Sequence, residues 1–140
     1  MVTKKSPENI LIFEHTFDNA AQKVSFDENT LKIGSLVFKS EHDQDCCENV
    51  YADFSVFKWH ASDLMEMGIK RLEIKAVEDM GLVFFFYENQ EWGDPRRVGV
   101  LVNCYNSQNG YYSSSLSLVI CNGDKEQKID VSEVVYNVIC

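Results

Sequence analysis

Short apolar runs rich in β-branched and aromatic residues recur along the chain, and this recurrence constrains the fold more than any other feature. The run RLEIKAV (71–77) shows a two-residue period, because Leu72, Ile74 and Ala76 share one face while charged residues share the other. Runs of this length and composition are typical of strands. The other runs are 10–13, 31–38, 50–57, 82–87, 98–105 and 116–121.

These runs predict an α+β domain that is predominantly antiparallel β, with one or two short helices. The runs 82–87 and 98–105 are nearly continuous in apolar residues, which predicts strands that are buried on both sides. The run 116–121 is followed by Asn-Gly-Asp at 122–124, a sequence that predicts a hairpin turn.

Helix signals are weak along the whole chain. Ser62 is an N-cap candidate for a single turn from Asp63 to Met67, which Gly68 would end. The C-terminal segment 130–140 has valines near helical spacing, but its β-branched residues favour a strand equally well. Both interpretations of this segment stay open.

The length and composition are those of one folded domain. The chain has 140 residues, of which 45% are hydrophobic and 25% charged, and this balance is typical of globular proteins. A domain of this size buries about 68% of the surface that its unfolded chain exposes. No linker or repeat divides the chain, so we assign residues 1–140 to a single domain.

The apolar runs are too short to cross a bilayer or to direct secretion. A membrane-spanning helix needs about 20 consecutive apolar residues, whereas the N-terminal lysines precede only the four-residue run 10–13. We therefore expect a cytoplasmic location. The five cysteines are then expected to be free thiols, because that compartment is reducing.

Acidic residues outnumber basic ones and cluster in two stretches. The net charge is −9, and the stretches 40–57 and 76–95 contain carboxylates but no lysine or arginine. They predict an acidic face for a partner protein with a basic surface, the alternative being a solvated surface that interacts with nothing. Direct nucleic-acid binding is not expected, because it needs lysine and arginine on the phosphates.

Segment 42–47 is the densest group of reactive side chains in the chain. In a regular strand His42 and Cys46 point to the same side but lie about 13 Å apart, at about 3.3 Å per residue, which is too far for a nucleophile and its base. If the segment is a turn, His42, Asp45 and one cysteine can converge on a metal ion. The structural alternative is that they satisfy backbone groups where a strand begins. The motif residues are His42, Gln44, Asp45, Cys46 and Cys47.

The segment HDQDCCENV (42–50) resembles the H-x-Q-D-C-C-E-x-V motif of a small uncharacterised domain family from phage and bacterial genomes. The segment NGYYSSSLSL (109–118) is similar to a second element of that family, a tyrosine-bearing turn before a strand. The order and spacing of both elements fit, so the resemblance spans about residues 30–121. It implies no known activity, substrate or cofactor. It does imply a small phage or prophage accessory protein, located in the host cell cytoplasm.

Two polar connections with aromatic residues are candidates for partner recognition. Tyr111 and Tyr112 follow an Asn-Gly turn, and Trp92 lies in the connection 88–97 beside a pair of arginines. The alternative for all three is that they cover the core. We expect Trp59 to pack beside the start of the short helix.

The sequence predicts a binding protein without enzymatic activity. No phosphate-binding glycine loop, nucleophile elbow or zinc-protease motif occurs, so no catalytic residue and no cofactor is predicted. We expect an inhibitor of a host defence factor that binds its partner through an acidic surface. The alternatives are a small-molecule or metal-binding module, a thiol enzyme and a virion structural protein. The predicted partner-binding residues are Glu41, Asp43, Glu48, Glu88, Glu91, Trp92, Tyr111 and Tyr112.

Overall fold

Ten β-strands and two short helices make up the described part of the chain in the computed structural model. The structure describes residues 9–21, 23–27, 29–42, 52–77, 81–89, 93–102 and 116–130. A 3-10 helix spans Phe54–Trp59, and helix α1 spans Ala61–Met67. The strands are β1 (Asn9–Ala21), β2 (Val24–Phe26), β3 (Thr30–Ile33), β4 (Leu36–His42), β5 (Ala52–Asp53), β6 (Ile69–Val77), β7 (Gly81–Tyr87), β8 (Arg96–Val102), β9 (Leu116–Asn122) and β10 (Lys125–Asp130).

The strands form two five-stranded sheets in which every pair of neighbours is antiparallel. The first sheet has the order β1-β6-β7-β8-β5, and the second has the order β10-β9-β4-β3-β2. The predicted fold class, an α+β domain dominated by antiparallel strands with one or two short helices, is therefore confirmed.

The two sheets face each other across an aromatic core. Phe38 on β4 and Phe84 on β7 meet edge to face with their ring centroids 5.7 Å apart, which joins the sheets directly. Phe54 and Phe57 of the 3-10 helix pack against the same Phe84 ring at 6.2 and 5.7 Å. All four rings are fully buried. Each such ring pair contributes about 0.5–1.5 kcal/mol beyond its buried area.

The burial of β6 follows the predicted alternation, because Leu72, Ile74 and Ala76 are all fully buried.

The expectation that 82–87 and 98–105 are buried on both sides is wrong for the residues that the structure describes. On β7, Phe85 is only half-buried, and on β8, Gly99 is exposed. The second sheet covers one face of the first sheet, so these strands bury that face more completely than the other.

Two apolar runs differ from the single strands that their sequences suggest. The run 31–38 is a hairpin, because Gly34 adopts a φ of +59° and begins a turn between β3 and β4. In the run 50–57, the structure describes a strand only at Ala52–Asp53, and a 3-10 helix follows. Phe54 and Phe57 are both buried at a spacing of three residues, which matches one turn of a 3-10 helix.

Helix α1 continues directly from the 3-10 helix, so it has no side-chain cap. His60 is its N-cap residue, where the sequence predicted Ser62, and the amide of Leu64 donates to the His60 carbonyl at 2.9 Å. The predicted end at Gly68 is confirmed by that residue's φ of +69°. Within the described residues, no helix is long and apolar enough to cross a membrane. The C-terminal segment lies beyond the described residues from position 131 onward.

Candidate functional site

Two of the eight predicted partner-binding residues lie in the described part of the chain, one on a strand of the second sheet and one just after a strand of the first sheet. Glu41 is exposed on β4, with its Oε1 3.5 Å from Nζ of Lys128. Glu88 is exposed after β7 and lines a small cavity together with Arg96 and Arg97. The predicted site residues that lie outside the described part are Asp43, Gln44, Asp45, Cys46, Cys47, Glu48, Glu91, Trp92, Tyr111 and Tyr112.

The first residue of the predicted motif, His42, ends β4, where it pairs with Leu116 of β9. The motif therefore begins at the end of a central strand of the second sheet. Among the described residues, no three histidine, cysteine, aspartate or glutamate side chains are grouped as a metal site. Cys121 of β9 is a half-buried free thiol. A metal site at His42, Asp45 and a cysteine stays a prediction.

The edges of the two sheets differ in length and in the residues that they carry. In the first sheet, the edge strand β5 has two residues, and in the second sheet β2 has three. The other edge of the second sheet, β10, has six residues and carries two lysines, which discourage pairing with another strand. The remaining edge strand, β1, has 13 residues. It is the longest exposed template for strand pairing among the described residues.

Strand β1 also exposes apolar side chains beside the edge that pairs with no strand of the described part of the chain. Ile10 is 37% exposed and Leu11 is 46% exposed, and both lie in the half of the strand that pairs regularly with β6. An edge strand directs the amide and carbonyl groups of alternate residues away from its sheet. We use the name β1 edge for the side of residues 9–16 that pairs with no described strand. It combines free backbone groups with apolar side chains.

A β-bulge at Ile12 decides which side chains of β1 face the core. Leu11 pairs with Lys75 and Phe13 pairs with Ile74, so β1 has one extra residue between these two pairs. The bulge turns Phe13 and the following alternate residues toward the second sheet, as its ring centroid 5.9 Å from that of Phe38 shows. It turns Glu14 outward, where it is exposed.

A second irregularity in β1 opens a cleft between the two sheets. Thr16 pairs with Arg71 and Ala21 pairs with Ile69, so four residues of β1 lie opposite the single residue Lys70. The space beside this bulge has a volume of about 830 Å³. We call it the cleft. Its lining residues are His15, Thr16, Phe17, Asp18, Asn19, Ala20, Ala21, Lys23, Gly34, Ser35 and Asn122.

The turn between β3 and β4 closes one side of the cleft at short range. The amide of Gly34 donates to the carbonyl of Lys23 at 2.9 Å. A Cβ atom on Gly34 would lie 3.3 Å from the Cβ of Ala21 and 3.8 Å from the Phe17 ring. Glycine at this position therefore allows both the φ of +59° and the close approach of the turn to β1.

His15 lies between two phenylalanine rings at the inner end of the cleft. Its imidazole is 4.6 Å from the Phe17 ring in an edge contact and 6.4 Å from the Phe13 ring in a stacked one, both measured between centroids. Burial lowers the pKa of His15 below 6.5, and the Asp18 carboxylate opposes this shift with a smaller effect. The imidazole is therefore mostly neutral at pH 7, so one of its ring nitrogens donates and the other accepts.

The outer face of the first sheet carries a connected group of charged and aromatic side chains around Glu73. The Glu73 carboxylate is 3.1 Å from Arg71 and 3.7 Å from Lys75, and it accepts a hydrogen bond from the Tyr87 hydroxyl at 3.0 Å. Arg71 lies 4.2 Å above the Tyr87 ring, and Lys75 lies 5.0 Å from the Phe85 ring. Burial, and then the bond to Glu73, raise the pKa of Tyr87. The Glu73 carboxylate and the Tyr87 hydroxyl are both paired, whereas Nε of Arg71 is buried without a hydrogen-bond partner. We assign the group a stabilising role.

Trp59 is a candidate contact residue that the sequence analysis assigned to packing. The structure leaves 73% of its surface exposed, with the ammonium of Lys58 4.9 Å from its ring. The expectation that it packs is therefore wrong. Phe57, two residues earlier, is fully buried instead, and the three-residue spacing of Phe54 and Phe57 was the available signal for this arrangement.

The β1 edge and the cleft share His15 and Thr16 of strand β1. The β1 edge presents backbone groups and the apolar side chains Ile10 and Leu11, and the cleft is lined by polar, charged and apolar residues. Free backbone groups with apolar side chains are typical of sites for extended peptides, and a cleft of this volume is typical of small-molecule sites. In comparisons with known proteins, no family model, no curated protein and no solved structure matches the chain.

Proposed function

We propose that the protein has no enzymatic activity and acts by binding a partner protein, which adds an extended segment to the β1 edge. The observation that carries this proposal is the combination of a 13-residue edge strand with exposed Ile10 and Leu11. Strand addition gives affinity through main-chain hydrogen bonds and specificity through the contacts of alternate side chains.

The charge of the β1 edge indicates the chemistry of the partner segment. Glu14 and Asp18 are both exposed on β1, and the whole chain carries a net charge of −9. The register places Leu11 opposite Lys75 and Glu14 opposite Glu73, so both side chains lie on the outer face of the first sheet. A partner segment with an apolar residue and a lysine or arginine two positions apart, on one face, would match them. This proposal keeps the basic partner that the sequence predicts, but it moves the acidic contact from the predicted stretches 40–57 and 76–95 to Glu14 of β1.

The biological context is a part of the same proposal. A small phage-type accessory protein that inhibits a host defence factor needs a binding surface and no catalytic group. The resemblance of 42–50 to a phage and bacterial motif supports this context, and the β1 edge supplies such a surface.

The experiment is a selection of random peptides displayed on phage against the purified protein, followed by binding measurements with synthetic copies. We expect the selected peptides to carry an apolar and a basic residue two positions apart, and to protect the amides of residues 10–16 from hydrogen exchange. Leu11→Asp should weaken their binding by about tenfold or more, because it removes an apolar contact at the centre of the edge.

Charge-matched variants separate a β1 site from general electrostatic attraction. Glu14→Lys changes a carboxylate beside the β1 edge, and Glu126→Lys makes the same change on the exposed edge strand β10. We expect only Glu14→Lys to weaken peptide binding. Equal losses in both variants, protection of β10 instead of β1, or a selection that yields no peptide would each overturn the proposal. So would light scattering that shows a dimer, if Leu11→Asp separates it, because the β1 edge would then bind a second copy of the chain.

A further inference from the structure

We propose that the cleft beside the second bulge of β1 binds a small, neutral, polyhydroxylated ligand such as a monosaccharide or disaccharide. This inference goes beyond partner binding at the β1 edge and does not depend on it. The volume of about 830 Å³ lies within the range of about 300–1,000 Å³ that is typical of small-molecule sites.

The charges that line the cleft do not favour an ionic ligand. Asp18 and Lys23 are the two charged side chains of the described lining if His15 is neutral, and their charges cancel. The net charge of the whole chain is −9, so a cleft without net charge differs from the average surface. An anion or a cation would gain attraction from one of these two residues and lose it to the other.

The hydrogen-bonding side chains of the cleft can both donate to and accept from the hydroxyl groups of a ligand. The residues that line the cleft include Ser35, which has a hydroxyl side chain, and Asn19 and Asn122, which have amide side chains. Hydroxyl and amide groups both donate and accept hydrogen bonds, and a neutral imidazole such as that of His15 does the same. A sugar presents several hydroxyls that also donate and accept, so it can pair with such a lining without carrying charge.

The cleft is held open by fixed backbone geometry. Its floor is the irregular part of β1, where four residues lie opposite one residue of β6. Its side is the turn at Gly34, which the hydrogen bond to the Lys23 carbonyl ties to the segment after β1. A site that exists before the ligand arrives loses less conformational entropy on binding, so weakly binding neutral ligands can still be held.

The test is a titration of the full-length 15N-labelled protein followed by NMR amide shifts. The probes are the neutral sugars glucose, galactose, mannose, N-acetylglucosamine, ribose, maltose and lactose, with arginine, glutamate and glucose 6-phosphate as charged counterparts. We expect at least one neutral sugar to bind with a Kd of about 1 mM or tighter. The shifts should be confined to residues 15–21, 34–35 and 122, and the charged probes should bind more weakly.

Conservative variants connect the binding to the cleft. Asn19→Ala and Ser35→Ala each remove one exposed polar side chain from the lining, and each should weaken the binding by about fivefold to tenfold. Gln127→Ala removes an exposed amide on β10 and should leave the affinity unchanged. Thermal denaturation checks that all three variants are folded.

Three results would overturn the inference. They are the absence of saturable shifts with every neutral sugar, tighter binding of the charged probes, and shifts that lie outside the cleft. None of them bears on peptide binding at the β1 edge. Conversely, loss of peptide binding in Leu11→Asp leaves the sugar titration unaffected, since Leu11 does not line the cleft.

Discussion

The hydroxyl of Tyr87 on β7 donates a 3.0 Å hydrogen bond to Oε1 of Glu73 on β6, diagonally across the two strands. The register places Glu73 directly opposite Glu14 of the edge strand β1. Two carboxylates in this relation repel each other. Arg71 and Lys75, which flank Glu73 on the same face, offset that repulsion. The Glu73 carboxylate thus connects β6 to β7, and its two basic neighbours, Arg71 and Lys75, let β1 pair beside it.

Replacing Glu73 with alanine should lower the free energy of unfolding by about 2 kcal/mol. The Glu73 side chain is only 12% exposed, and its removal leaves Arg71 and Lys75 without their counter-charge and Tyr87 without its acceptor. Urea denaturation followed by tryptophan fluorescence measures the change. Glu126→Ala on the exposed strand β10 is the control, and it should stay within about 0.5 kcal/mol of the wild type. Equal effects of the two substitutions would contradict the structural role of Glu73.

The fold class was predictable because the sequences of several strands show the residue types and the two-residue period that are typical of strands. In β6, an alternation of apolar and charged residues sets both the strand and its buried face, and the structure follows it residue by residue. The stretch around Phe54 and Phe57 has a similar composition, but two rings spaced three residues apart reach one core position more easily from a 3-10 helix. Tertiary packing therefore selected the 3-10 helix over a strand for this stretch. Tertiary packing cannot be predicted from the composition of the stretch.

The candidate site was not predictable, because it depends on which strand lies at the edge of a sheet. Leu11 and Glu14 are ordinary strand residues in the sequence, and the binding role proposed for them comes from the position of β1, which among the described strands pairs only with β6. The two bulges of β1 depend on the register with β6, which no local pattern specifies. Likewise, the carboxylates Glu41 and Glu88 belong to similar acidic stretches, but Glu41 lies on the second sheet and Glu88 follows β7 of the first sheet.

Two aromatic residues of the same region should differ strongly in their contribution to stability. Phe84 is fully buried and contacts the rings of Phe38, Phe54 and Phe57, so Phe84→Ala should cost about 3–5 kcal/mol. Trp59 is 73% exposed, so Trp59→Ala should change the free energy of unfolding by less than about 0.5 kcal/mol. Chemical denaturation followed by circular dichroism measures both. A large loss in Trp59→Ala would show that Trp59 packs after all.

His15 should make the stability of the protein depend on pH in a defined direction. Burial lowers its folded-state pKa below 6.5, so the unfolded chain takes up the proton first as the pH falls. The contribution of His15 to the free energy of unfolding is therefore fully present above pH 6.5. It is lost as the pH falls through the folded-state pKa of His15.

Comparison of the wild type with His15→Phe isolates this contribution, because phenylalanine keeps an aromatic ring between Phe13 and Phe17 and carries no titrating group. We expect the stability of the wild type, relative to that of His15→Phe, to fall as the pH is lowered below 6.5. An NMR titration of the His15 ring gives the pKa directly. A midpoint at or above 6.5 would contradict the burial of the imidazole.

Alanine substitutions at three glycines should separate backbone strain from steric contact. Gly34→Ala should be the most destabilising, because Gly34 has a φ of +59° and an added Cβ would lie 3.3 Å from the Cβ of Ala21. Gly123→Ala introduces backbone strain without a steric contact, because Gly123 has a φ of +64° and an added Cβ would have no neighbour within 4 Å. It should lower the free energy of unfolding by about 1–2 kcal/mol. Gly99→Ala has neither a positive φ nor a close neighbour, so it should be neutral or slightly stabilising. Urea denaturation of the three variants gives the order. If Gly34→Ala costs no more than Gly123→Ala, the turn between β3 and β4 does not press against β1, and the cleft is wider on that side than the structure shows.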